Sequence, residues 1–459
     1  MIAQNFKCLL FFFAILCCNH LRAQSDSTAV IQKIILVGNN KTKDYIILRE
    51  MPVKVNDTIN KNAIPQLITK AKENIYNTKL FISVNVVPQL IEPDRLYILI
   101  ELKERWYTFP FPYVELADRS LNVWLHTYHA DLKRLSYGIF FLQENLTGRN
   151  DKLEIKAVAG FNRQLALEYT TPYINKDLTA RLRFAGGILA SKEIPYISSG
   201  QNKLLYHQSG HNQRKEWFAS VGVLSRKKIK KREWLTLSLH GSWIADSISN
   251  YYNADFFGGS KNKIFYPEVN YKFRYDDVDN VMYPLEGYTM QVSATKRGFG
   301  WNGEMDMLSV GADMRYYLPL GKNWFTEMRL AAEVKLPFEQ PYYNQRLLGY
   351  GDNYIRGLEY YVIDGSAFGL SSLDLKKKLV SFEVPTFLNS KNYSKIPFTL
   401  YAKIYGDAGY AYSKRQSMLG NKLQYSGGFG LDIVTLYDIA IKIEFSVNRL
   451  GNGGIYLHK

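Results

Sequence analysis

The feature that most constrains this chain is an alternation of apolar and polar residues that begins near Trp106 and continues to the C-terminus. Over 304–318, Leu308, Val310, Ala312, Met314, Tyr316 and Leu318 share one face; Ser309, Gly311, Asp313 and Arg315 share the other. Over 441–448, Lys442, Glu444, Ser446 and Asn448 oppose Ile441, Ile443, Phe445 and Val447. A period of two belongs to a strand. A soluble sandwich also alternates, but it seldom keeps strands this long over so much sequence. Spans of about 9–11 residues or more, repeated many times, suit strands that cross a membrane at a tilt. One face then meets lipid and the other lines a lumen.

Sixteen such strands are expected, beginning near Trp106, Leu135, Lys152, Arg163, Leu178, Gln213, Glu233, Lys263, Leu285, Glu304, Asn323, Ser371, Pro397, Asn421, Ile439 and Gly453. An even count suits an outer-membrane barrel. Short turns at 175–177 and 321–322 fall on one side, and the long segments 191–212, 247–261 and 338–370 on the other. The expected fold is mainly β: a 16-stranded transmembrane antiparallel β-barrel over 106–459, preceded by one small α/β domain over 29–104.

Composition now makes sense. A mean hydropathy of −0.22 excludes a bundle of membrane helices, but it is what alternating faces give when they cancel. The 34 tyrosines need a place, and ring systems with one polar end favour the two membrane interfaces. Candidates at strand ends are Tyr169, Tyr173, Tyr266, Tyr271, Tyr316, Tyr317, Tyr425 and Tyr437. The net charge of +16 first suggests nucleic acid or an anionic surface.

The N-terminus argues against nucleic acid. Lys7, an apolar run from Cys8 to Cys18, and Leu21-Arg22-Ala23 follow the order of a secretory signal peptide over 1–23. A lipoprotein site at Cys17 or Cys18 is the alternative. Removal of the segment takes all three cysteines with it, which excludes cysteine-based zinc sites in the exported chain.

Between 29 and 104 the expected order is strand, helix, helix, strand, strand. Thr42 is placed to cap the first helix and Asn62 the second, with Pro65 in its first turn. The turn Gly38-Asn39-Asn40-Lys41-Thr42, the segment Leu80-Phe81-Ile82-Ser83-Val84 and Glu101 resemble a POTRA domain; Gly38, Asn39, Phe81 and Val84 carry the match. The resemblance implies a periplasmic module that binds unfolded chains or partner proteins, by strand addition at a sheet edge.

In the longest loop, Ile355-Arg356-Gly357-Leu358 is similar to the Val-Arg-Gly-Phe/Tyr motif of the BamA/TamA superfamily, with Leu358 where an aromatic is usual. Tyr405-Gly406-Asp407-Ala408-Gly409 is similar to that superfamily's Phe-x-Asp-x-Gly. The resemblance implies a loop folded into the barrel with Arg356 paired to Asp407. A guanidinium in a crowded lumen needs such a carboxylate, and Asp407 shares its strand face with Lys403 and Tyr405. Segments 137–150, 169–173 and 275–288 are also similar to the superfamily.

Gly451, Gly453 and Gly454 leave a short last strand in which Tyr456 stands in for a C-terminal aromatic. Such a strand pairs weakly with the first, so the lateral seam between them is a candidate gate. The basic run 226–232 reads as a solvated turn, and His207 and His211 as loop residues. No catalytic, metal or cofactor motif stands out. The expected function is assembly, insertion or translocation of other proteins at the outer membrane of a Gram-negative cell. Expected partners are unfolded outer-membrane or exported proteins, membrane lipid and accessory subunits. A dedicated secretion pore and a passive channel or surface antigen are the alternatives.

Overall fold

The computed structural model describes residues 28–92, 94–116, 124, 129–300, 305–385, 395–435 and 440–458. The expected export segment, Tyr437 and Lys459 lie outside the described residues.

The N-terminal module contains β1 (Thr28–Val37), α1 (Asp44–Leu48), β2 (Thr58–Asn60), α2 (Ile64–Tyr76), β3 (Phe81–Glu92) and β4 (Arg95–Glu104). Its sheet order is β2-β1-β4-β3, with β1 and β4 parallel and β3 and β4 antiparallel. Apolar residues of both helices and of the strands, among them Ile31, Ile47, Ile75, Leu96 and Ile98, close one core. Phe81 and Val84 belong to that core, so their part is packing. Gly38 has φ +95°, and a Cβ there would lie 2.0 Å from the Leu102 carbonyl oxygen, so only glycine lets this turn lie against β4. Asn39 braces the turn by donating to the Thr42 carbonyl at 3.0 Å and to Asp44 at 2.7 Å.

Three local expectations fail. β2 was not expected, because three residues are too few to show a period. Lys43, not Thr42, precedes α1, and no side chain caps it. Ala63 precedes α2; Asn62 instead donates its N–H to the Asn60 side chain, which caps a 3-10 turn at Lys61–Ala63.

The barrel strands are β5 (Thr108–Leu116), β6 (Leu135–Glu144), β7 (Lys152–Gly160), β8 (Asn162–Thr170), β9 (Ala180–Ser191), β12 (Arg214–Lys228), β13 (Lys231–Ile244) and β14 (Lys263–Val278). They continue as β15 (Gly287–Arg297), β16 (Met307–Gly321), β17 (Trp324–Leu336), β20 (Ala367–Pro385), β21 (Lys395–Tyr412), β22 (Gln424–Val434), β23 (Ala440–Asn448) and β24 (Gly453–His458). These sixteen form one antiparallel sheet in chain order. β20 begins four residues before Ser371, where the apolar alternation is interrupted by Gly369. Two of the long segments carry strand pairs, the hairpin β10 (Glu193–Ser198) and β11 (Leu204–Gln208) and the pair β18 (Arg346–Leu348) and β19 (Ile363–Asp364), and the third carries a π-helical turn at Ile248–Tyr252.

The tyrosines divide. Tyr271, Tyr316 and Tyr425 are exposed on the outer face. Tyr266 and Tyr317 are buried on the inner face, and Tyr173 packs against the N-terminal module, so these three are not interfacial. Strand-end position does not by itself decide which face a residue occupies.

Candidate functional site: lumen lock, module junction and lateral seam

The segment between β17 and β20 folds back into the barrel. Ile355 and Leu358 are buried with Leu347, Phe368, Leu370 and Ala411, so an aliphatic residue fills the position of Leu358. Gly409 admits this packing; a Cβ there would meet the Ile355 side chain at 2.8 Å. Between the two apolar anchors, Arg356 reaches the inner faces of β20, β21 and β23. Its Nε and Nη2 donate to Asp407 at 2.8 and 2.5 Å, and its backbone N–H adds a bond of 2.9 Å to the same carboxylate. Nη1 and Nη2 also form a fork on Asp374 at 3.1 and 2.6 Å, and Nη1 reaches Glu444 at 3.2 Å. The guanidinium lies 3.8 Å from the centroid of the Tyr405 ring. Gly357 has φ +85°, and a Cβ there would sit 2.9 Å from that of Ser446.

The pair thus sits in a larger network. Lys403 bridges Glu444 and Asp432, each at 2.7 Å. Glu444 and Glu359 also flank His458 on β24. Asp374 and Glu444 are partners that sequence reasoning missed. Alternation puts them on inner faces, but it does not say which strands a loop residue can reach.

A second constellation joins the N-terminal module to the turns at its end of the barrel. Glu50 is buried and accepts from Arg226 at 2.5 and 2.9 Å and from Arg49 at 2.7 Å. Arg49 also donates to the carbonyls of Leu178 and Arg226 and lies over the Tyr173 ring. The basic run is therefore not simply a solvated turn: Arg226 docks the module. Thr42, freed from capping, meets the hydroxyl of Tyr107 at 3.0 Å and the Asn145 amide at 2.9 Å. Burial pushes the Tyr107 phenol well above its ordinary range. Lys79 is held below the usual lysine range, first by burial and then by Arg274.

The turn between β14 and β15 links both constellations. Asn77 of the module accepts the Val281 N–H at 3.1 Å. Two residues on, the buried Tyr283 hydroxyl donates to Asp432 at 2.8 Å. Contacts bridged by the 281–283 backbone thus run from Asn77 through Tyr283, Asp432, Lys403 and Glu444 to Arg356.

A family model described as the Omp85 superfamily domain matches residues 145–435. The chain belongs to the Omp85 superfamily. A POTRA model, described as surface antigen variable number repeat, matches residues 29–105. Over 276 residues the chain is 25% identical to the outer membrane protein assembly factor BamA of Neorickettsia risticii (strain Illinois), covering 59% of this chain and 32% of that protein. It thus spans about a third of the length of the curated relative it matches. BamA from Haemophilus ducreyi lacking POTRA domains 1–3 shares the fold, with a TM-score of 0.51 and 16% identity over 92% of this chain and 81% of that one. CdiB from Escherichia coli aligns with a TM-score of 0.48 and 10% identity over 95% of this chain and 91% of that one. This Omp85 protein is an outer-membrane β-barrel with a periplasmic POTRA domain, so the barrel end that meets the module is the periplasmic end.

Among the described residues of the Omp85 barrel no ladder joins β5 to β24. Two sequence facts account for this. β24 has six residues. Pro110 and Pro112 of β5 are two apart, so their nitrogens point to one side; in a strand paired throughout with β6 that side is the free edge. Two donors that a neighbour would need are missing, and the sequence reading overlooked them. On β24, Ile455 and Leu457 are 67% and 72% exposed. Tyr456 is buried, facing Tyr360 of the inserted loop, so it is no interfacial anchor. Gly451 has φ +79° and forms the turn into β24, and a Cβ on Gly454 would strike the Tyr456 hydroxyl at 2.8 Å.

Proposed function

We propose that this Omp85 protein assists the insertion or translocation of other proteins at the outer membrane, without enzymatic chemistry, metal or nucleotide. The observation that carries the reading is the boundary between β5 and β24, where no ladder is formed among the described residues. The free edge of β24 presents backbone groups that an incoming strand satisfies by β-augmentation. A client strand is received first at the free edge of the POTRA sheet, which is β3. Leu90 and Ile91 stand exposed there. It then adds beside β24, and its apolar face passes into lipid as its ladder forms. Burial of that face and completion of the ladder supply the driving force, which is why no nucleotide is needed.

The test is reconstitution in liposomes with an unfolded outer-membrane protein as client, and a photocrosslinker at Ile455 or, as control, at Leu237 on the far side. Faster client folding with crosslinks from Ile455 alone is the expected result. Unchanged folding rates and no crosslink from Ile455 would overturn the reading.

A further inference from the structure

The outer face of the barrel carries a groove of about 820 Å³ across β8, β9, β12, β13 and β14. Its floor exists because Gly241 has no side chain: the Trp217 indole lies over it, and a Cβ there would be 2.2 Å from the indole nitrogen. Leu165, Ile188, Trp217 and Phe265 line it, and all four are exposed on the lipid-facing side. The strand register places these residues in one row, with Gly241 between Trp217 and Phe265.

One row further from the periplasm the character changes. Arg163, Ala190, Lys215, Trp243 and Lys263 are successive cross-strand neighbours. This row is at the strand ends opposite the POTRA domain, hence at the outer boundary of the membrane. Three of the five are cations, and all three are exposed. Among the described residues none of the three has a carboxylate partner; Arg163 donates to Asn212 at 2.8 Å, and Lys215 lies over the Trp243 ring. Neighbouring cations are two strands apart, or about 10 Å at the usual strand spacing. Unpaired cations above a lipid-facing apolar groove complement an amphiphile with apolar chains below and more than one negative group above.

We infer that this face is a binding site for a phosphate-bearing glycolipid of the outer leaflet. Its acyl chain lies in the Trp217–Phe265 groove, and two phosphates bridge Arg163, Lys215 and Lys263. A lipid with a single phosphate satisfies one gap of the row and leaves the other open. The site is on the outer face and separate from the lumen lock and the seam, so it stands whether or not the insertion reading does.

The test uses the full chain released from mixed vesicles and weighed by native mass spectrometry. The vesicles contain phosphatidylcholine together with diphosphoryl lipid A, monophosphoryl lipid A or phosphatidylglycerol. The variants are Arg163→Gln/Lys215→Gln/Lys263→Gln and, as a charge-matched control, Lys227→Gln/Lys228→Gln/Lys231→Gln at the periplasmic end. All six positions are exposed, so both variants are expected to fold. The expected result is retention of diphosphoryl lipid A at least tenfold over phosphatidylcholine, a weaker preference for monophosphoryl lipid A, and loss of both in the first variant alone. Equal retention in the first variant overturns the site. Equal loss in the control shows a general charge effect and overturns it too. Retention of phosphatidylglycerol as strong as that of diphosphoryl lipid A overturns the assignment of the ligand.

Discussion

Arg356 ties one loop to three strands through five side-chain bonds. Removing the guanidinium leaves Asp374, Asp407 and Glu444 buried with too little positive charge. Breaking a buried pair from one side costs about 3–5 kcal/mol. Arg356→Ala is therefore expected to lower the thermal midpoint sharply and to open 338–366 to protease. Arg356→Lys keeps the charge but loses both forks and should fall between the two. If the lysine variant matches the parent, bidentate geometry is not what holds the loop. Lys79 makes a prediction of opposite sign. Its folded pKa lies below the ordinary value of 10.5, so the charged form costs stability. Stability then rises as pH climbs through the folded pKa toward 10.5 and is level below that window. Lys79→Met should be more stable than the parent at pH 7, and the difference in midpoint should shrink as pH approaches 10.

Among the elements, the junction of module and barrel rests on a buried Arg–Glu–Arg cluster. Glu50→Ala strands Arg226 without its partner and should cost about 3 kcal/mol of docking. Hydrogen exchange is the measurement: protection should fall over 44–51 and 226–230 and be retained in β16 and β17. Unchanged protection at both junction segments would show that the cluster does not hold the module. The turn between β14 and β15 is the other link. Tyr283→Phe deletes one buried hydrogen bond, worth about 1 kcal/mol. Because Asp432 shares Lys403 with Glu444, protease sensitivity of the inserted loop should rise as well. A stability loss without any change at the loop would mean that the path from POTRA domain to lock is contiguous but not coupled. Element existence was legible in the sequence here: all sixteen barrel strands follow from period two, since alternation survives wherever one face is lipid. Short pieces such as β2 and β18 were not, because three residues carry no period.

Taken whole, the molecule is a barrel with the segment between β17 and β20 folded into its lumen and, among the described residues, no ladder between its first and last strands. A segment anchored inside the lumen narrows the path through it, so conductance in planar bilayers is expected to be low and to rise when 349–361 is deleted; no rise on deletion would contradict it. Alternation and turn chemistry along the chain suffice for the membrane-crossing barrel, the module before it, the side on which long loops fall, and the inner face of Asp407. Each follows from local period or turn chemistry, which a strand shows without its neighbours. The packing of distant segments was needed to show that Arg356 meets Asp374 and Glu444 as well as Asp407, and that Arg226 holds the module. These depend on which distant segments become neighbours. A buried charge takes whichever opposite charges the closed packing brings within reach, and no spacing along the chain records that distance.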